Sequence, residues 1–107
     1  MEIHKDSNGV RVIAHQGKNK GHGYDILVDD VKFPVQFQTG AVADNGVNGV
    51  TNEALLAIVI HRLEFLQGKF PCIQNSLAII NAKAALNVLE QRTRSRIERG
   101  VEGKEVA

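Results

Sequence analysis

The stretch EQRTRSRIERG, residues 90–100, places four arginines on a helical spacing. Arg94 has Glu90 one turn before it and Glu98 one turn after it, so its charge is expected to be answered on its own helix. Arg92 and Arg96 are i, i+4 neighbours, and none of the residues around them (Val88, Leu89, Thr93, Ser95, Arg99, Gly100) is acidic. Like charges stacked this way disfavour a helix by about 0.2–0.5 kcal/mol. They also make a fork that suits a diphosphate, because guanidinium donors match phosphate oxygens in pairs. Two plainer readings stand beside this one. Cations favour a helix C-terminus in any case, and the pair could meet an acid from another chain.

Other candidate chemistry is thin. The chain has no GxxxxGK[ST], G-x-S-x-G or H-E-x-x-H pattern. His4, His15, His22 and His61 are scattered, and Cys72 has no partner at metal-ligand spacing. His61 and Glu64, three apart, read as a surface pair. The loop GKNKGHG (17–23) has glycines and lysines that could cradle a phosphate, but it reads more simply as a flexible hairpin tip. Phe65 and Asn75 flank a turn between two helices. Together they would offer an aromatic platform and an amide for a base edge; separately they would be a core residue and a helix cap.

The elements that must position these residues follow from composition and period. The chain has 107 residues, net charge +1, four Phe, one Tyr and no Trp. That is the size of a single domain, 1–107, which buries only about two-thirds of its unfolded surface. Near-neutral charge gives no field to draw a DNA or RNA polymer or an anionic membrane. The N-terminus lacks a signal-peptide pattern. The apolar run from Ala54 to Ile60 is far short of the roughly 20 residues that span a bilayer. The single Cys72 forms no internal disulfide and reads as a small core residue in a reducing cytosol.

Residues 1–45 read as β-rich. VRVIAH (10–15), YDILVD (24–29) and VKFPVQFQ (31–38) give three strands, with Pro34 marking the last as an edge strand. Residues 46–100 read as a helical hairpin. Thr51 caps a first helix that runs to about Gln67 and stops at Gly68. Asn75 or Ser76 caps a second helix ending at Arg99, with Gly100 terminating it. Leu77, Ile80, Ala84 and Val88 make one apolar stripe on that helix, widened by Leu86, Leu89, Thr93 and Ile97. The tail 101–107 is expected to fray. The fold class is therefore α+β: a small N-terminal antiparallel β-sheet followed by a two-helix antiparallel hairpin. The first helix is apolar on nearly every face, through Leu55, Leu56, Ile58, Val59, Ile60, Leu63, Phe65 and Leu66. So short a chain cannot bury it alone, which predicts assembly as a homo-oligomer.

The segments GVNGVTNEALLAIVIHRLEFLQ, KFPCIQNSLAIINAKAALNVLEQRT and RIERGVEG closely resemble the phage-encoded Thoeris anti-defence sponge family, which shares a helical-hairpin domain with the anti-CBASS sponges. The resemblance is dense over residues 46–103, carried by the GVNGV turn, the FPC turn and the RTxxR…RGVEG end. The β-rich part fits by layout more than by motif. The resemblance implies a protein that is not an enzyme, needs no cofactor, and works in the cytoplasm of an infected bacterial host. It implies an oligomer of dimer units, often a hexamer, that sequesters cyclic nucleotide immune signals without cleaving them. For this branch the signal is glycocyclic ADP-ribose, held between subunits; some members hold cyclic di- or trinucleotides in a second pocket. Carried over by position, the ligand-binding residues are Phe65, Asn75, Arg92 and Arg96. For a second anion pocket, the helix start at Asn48, Gly49 and Thr51 offers backbone N–H groups, or merely caps the helix. The competing readings are an oligomeric interaction module for a host polypeptide and, behind it, an ADP-ribose-cleaving enzyme. The enzyme lacks a carboxylate placed at the arginine fork.

Overall fold

The computed structural model describes residues 1–105. It divides into two compact units, Met1–Val50 and a second that begins at Thr51.

The first unit is a four-stranded antiparallel meander in the order β1(Glu2–Lys5), β2(Arg11–Ala14), β3(Gly23–Val28), β4(Val31–Gln36). Three strands were expected, and β1 is the addition. EIHK is short, polar and exposed throughout, so it carries no apolar alternation to announce it. It is held by pairing: Glu2 lies opposite Ile13 and Lys5 opposite Arg11, with a bulge between Glu2 and His4. An Arg11–Glu2 ion pair crosses the same two strands. The Arg11 hydrogen bond holds the Glu2 carboxyl below the usual carboxylate range. Pro34 lies on β4, at the sheet edge as expected, where a missing N–H breaks no ladder.

The β2–β3 connection is less loose than its glycines suggested. Gly17–Asn19 form a turn of 3-10 helix. The Asn19 amide reaches His15 Nδ1 at 2.7 Å and exchanges two hydrogen bonds with Gln36, at 3.1 and 3.0 Å. His15 Nε2 lies 3.1 Å from Asp25 Oδ2. Residues 41–50 contain one helical turn, α1(Val42–Asn45). The chain then returns to the sheet: Val50 N donates to Gln36 O, and Gln38 N to Val50 O. That return explains Gly49. A Cβ there would collide with the Phe37 carbonyl and lie 2.7 Å from Gln36 O.

The second unit is a hairpin of α2(Asn52–Lys69) and α3(Ile73–Glu98). Thr51 caps α2 as expected, its Oγ1 accepting from Ala54 N at 3.1 Å. Gly68 does not stop the helix. Glycine is tolerated inside one, and α2 continues to Lys69. Pro71 ends it, because its ring excludes the helical conformation at Phe70, which sits at φ −135°, ψ 71°. The cap of α3 also differs from expectation. Neither Asn75 nor Ser76 caps it; Cys72 does, its Sγ accepting from Asn75 N at 3.3 Å. Cys72 is therefore an exposed capping thiol and not a core residue. At the far end Gly100 terminates α3 with φ 72°, while Gly100 N bonds Ile97 O and Val101 N bonds Arg96 O.

Burial separates two stripes on α3. Ala78, Ile79, Ala82, Leu86, Leu89 and Thr93 are partly covered, whereas Leu77, Ile80, Ala84 and Val88, the stripe singled out from sequence, remain exposed. On α2, Leu55, Leu56, Ile60, Leu63 and Leu66 are covered, while Ile58, Val59 and Phe65 are not. Ala41 and Ile60 are the buried apolar residues of the two units, and no described side chain is fully buried. The hairpin thus leaves one apolar face of each helix uncovered. No helix among the described residues is long and apolar enough to cross a membrane.

Candidate functional site

The residues singled out from sequence fall at opposite ends of the hairpin. Phe65, in the last turns of α2, and Asn75, in the first turn of α3, both lie by the interhelix turn. Arg92 and Arg96 lie at the other end of α3, about 25 Å or more from Asn75 at about 1.5 Å per residue. One chain therefore brings together Phe65 with Asn75, and Arg92 with Arg96, but not the two pairs with each other.

At the turn end the Phe65 ring is 50% exposed. Two cations approach it, the Arg62 guanidinium 5.8 Å and Lys69 Nζ 4.9 Å from its centroid. Ala57, Ile58, His61, Arg62 and Phe65 line an open groove of about 570 Å³ along this face. His61 does not pair with Glu64 as expected. Glu64 reaches across the hairpin to Lys83 at 3.3 Å, which leaves His61 to the groove. Asn75 is half-buried, and its backbone N–H is taken by the Cys72 cap.

The arginine end departs from the expected pairing. Arg94 forms no ion pair with Glu90 or Glu98 among the described residues. Exposed pairs gain too little to hold two long side chains in one geometry. Arg96, read as lacking an acid, has one from beyond the helix: its Nε lies 3.4 Å from Glu102 Oε2. Its Nη2 donates to Val101 O at 2.9 Å and to Lys104 O at 2.7 Å, and the residue is only 5% exposed. The tail expected to fray is thus folded back over Arg96 through residue 104, while residues 106–107 lie outside the described part. Arg92 stays exposed and makes no hydrogen bond or ion pair among the described residues. The pair is asymmetric, one arginine open and one clasped.

Asn48, Gly49 and Thr51 each have a structural task. The Asn48 amide donates to Thr39 O and accepts from Thr39 N, both at 2.8 Å. Gly49 permits the close approach to Phe37, and Thr51 caps α2. Among the described residues no cluster of three or more His, Cys, Asp and Glu side chains is arranged to hold a metal ion.

A family model for the Acb2/Tad1 hairpin domain matches residues 29–94, well over half the chain. The chain belongs to that family. The matched stretch of the Acb2/Tad1 hairpin takes in β4, α2 and most of α3; Arg96 and the tail that clasps it lie beyond. Over 93 residues the chain is also 49% identical to Thoeris anti-defense 1 of Bacillus phage SBSphiJ7. That alignment covers 83% of this chain and spans 65% of the relative's length.

Sequence reasoning missed Arg62, Lys69 and Glu102. The first two were legible, at i−3 and i+4 of Phe65 in RLEFLQGK, where helix geometry puts side chains on one face. Glu102 was not, because its approach to Arg96 needs the chain reversal at Gly100.

Proposed function

We propose that this chain is a phage anti-defence protein that sequesters a cyclic nucleotide immune signal, glycocyclic ADP-ribose, without cleaving it. It would work as a homo-oligomer in the cytoplasm of the infected host, with Phe65, Asn75, Arg92 and Arg96 as ligand-binding residues. The observation that carries this reading is the separation of the two pairs along a hairpin with an uncovered apolar face. A second hairpin docked antiparallel on that face would place the aromatic and amide of one copy beside the arginines of the other. The base would meet Phe65 and the amide of Asn75, and the diphosphate would meet the guanidinium groups. The 49% identity to a Thoeris anti-defence protein supports the biological setting. Sequestration needs affinity and water exclusion but no nucleophile, base or metal.

A pocket for CBASS cyclic oligonucleotides at Asn48, Gly49 and Thr51 is a separate proposal, in which residues that already serve the sheet and the α2 cap would also meet an anion. The uncovered face also favours a second reading, an oligomeric interaction module that binds a host polypeptide through Ile58, Val59, Leu77 and Ile80. Incubation with glycocyclic ADP-ribose, followed by heat denaturation and chromatography of the supernatant, separates the readings. A sponge depletes the ligand from solution and returns it intact on denaturation. Products on the chromatogram indicate an enzyme, and no depletion indicates the interaction module.

A further inference from the structure

A half-exposed phenylalanine on a helix is ordinary by itself. The surroundings of Phe65 are not. A guanidinium and an ammonium both gather within 6 Å of its ring although they repel each other, and neither has an acidic partner among the described residues. Nearby Glu64, which could have neutralised either, is directed to Lys83 instead. Along the same face the groove continues past His61 to Ala57 and Ile58 and contains no carboxylate. The result is a cation–aromatic–cation stripe that runs into an apolar cleft.

We infer that Arg62 and Lys69 are further ligand-binding residues, which flank a base stacked on Phe65 and carry the phosphates attached to it. This rests on the proposed function and adds to it two cations on the turn end. The occupant is a nucleotide-type anion: a planar base for the ring, and negative charge within reach on either side of it. In the absence of ligand, the two cations hold the ring through its quadrupole. A stacked base displaces them from the ring, and they turn outward to phosphate oxygens. A cation–π contact at an exposed site is weaker than a charge-assisted hydrogen bond to phosphate, so the exchange favours the complex. It also answers a difficulty at the far end of the hairpin. Glu102 already answers part of the Arg96 charge, so the Arg92–Arg96 fork by itself is short of positive charge for a diphosphate; the turn end of a neighbouring copy would supply the rest.

The test is calorimetric titration of glycocyclic ADP-ribose into the wild-type protein and into Arg62→Gln, Lys69→Gln, the double variant and Lys83→Gln. Both target residues are exposed, and Gln keeps most of each stem, so folding is expected to persist and is checked by thermal melting. Each single variant should weaken binding roughly 10-fold and the double variant roughly 100-fold, as for the loss of one and two charge-assisted contacts. Lys83→Gln releases Glu64, which can then neutralise either cation, and should weaken binding too, by less than roughly 10-fold. Tight binding by wild type with unchanged binding by the double variant overturns this inference and leaves the proposed function standing. Failure of the wild type to bind overturns the proposed function as well. A fall in the light-scattering mass of Arg62→Gln makes this face a contact between copies and overturns the ligand role.

Discussion

Where α2 meets the interhelix turn, Arg62 and Lys69 surround an exposed ring and make no ion pair among the described residues. At the far end of α3, Arg96 is buried under its own tail with Glu102 and two carbonyls as partners. Both ends are basic, but only one is pre-arranged. The difference lies in what the chain does next. After α2, Pro71 turns it directly into α3, and Phe65 stays half exposed. After α3, Gly100 at φ 72° reverses it and returns Glu102 to the arginine it has just passed. Counting acids within one turn identifies a partner only while the helix lasts. That rule placed partners around Arg94, which has none among the described residues, and missed the one that Arg96 has.

If the two ends meet across copies, breaking the face between them should have the largest effect. Val59 is 48% exposed in the single chain, so Val59→Asp should fold yet fail to assemble. An unpaired carboxylate in an apolar interface costs several kcal/mol. Light scattering should then give about one 11.7 kDa unit where wild type gives a multiple of it. A wild-type monomer would remove the reason for joining the ends.

Arg96→Ala comes next and should have two consequences. Ligand binding should weaken roughly 10- to 150-fold, for a charge-assisted contact of about 1.5–3 kcal/mol at 1.4 kcal/mol per decade. Stability should also fall, by about 2 kcal/mol, as the Val101 and Lys104 carbonyls lose their donor. Hydrogen exchange should show the Val101 and Lys104 amides opening first. Arg92→Ala separates the functions: binding should drop by roughly 10-fold with the melting temperature unchanged, because Arg92 makes no hydrogen bond or ion pair among the described residues. Equal losses from Arg92→Ala and Arg94→Ala would instead point to diffuse charge. The smallest effect is expected from Glu102→Gln. Its carboxylate is 41% exposed, so the stability change should stay under about 1 kcal/mol. A larger change would mean that the carboxylate, more than the two carbonyls, secures the tail.

Much of the architecture was legible before any coordinates. The two helices, the Thr51 cap, the Gly100 stop and the edge position of Pro34 each follow from a residue whose backbone preference is local. So did the excess of apolar surface, since composition alone showed more apolar helix face than one hairpin covers. Strand β1 was not legible, because an exposed tetrapeptide such as EIHK becomes a strand only by pairing with β2. Nor was the cap of α3 by Cys72, where the geometry set by Pro71 overrode the usual preference for Asn or Ser.

The sequence by itself determined the start of α2 at Thr51, the stop of α3 at Gly100 and which residue types sit at each end of the hairpin, because those features depend on contacts within a few residues. The tertiary structure decided which apolar stripe of α3 faces α2 and which stays uncovered. It also decided that Glu64 serves Lys83 and leaves the cations at Phe65 without an acid, and that Arg96 is clasped while Arg92 is open. Each of these depends on residues that become neighbours only after the chain has turned, and the energy of a charge depends on which neighbours those are.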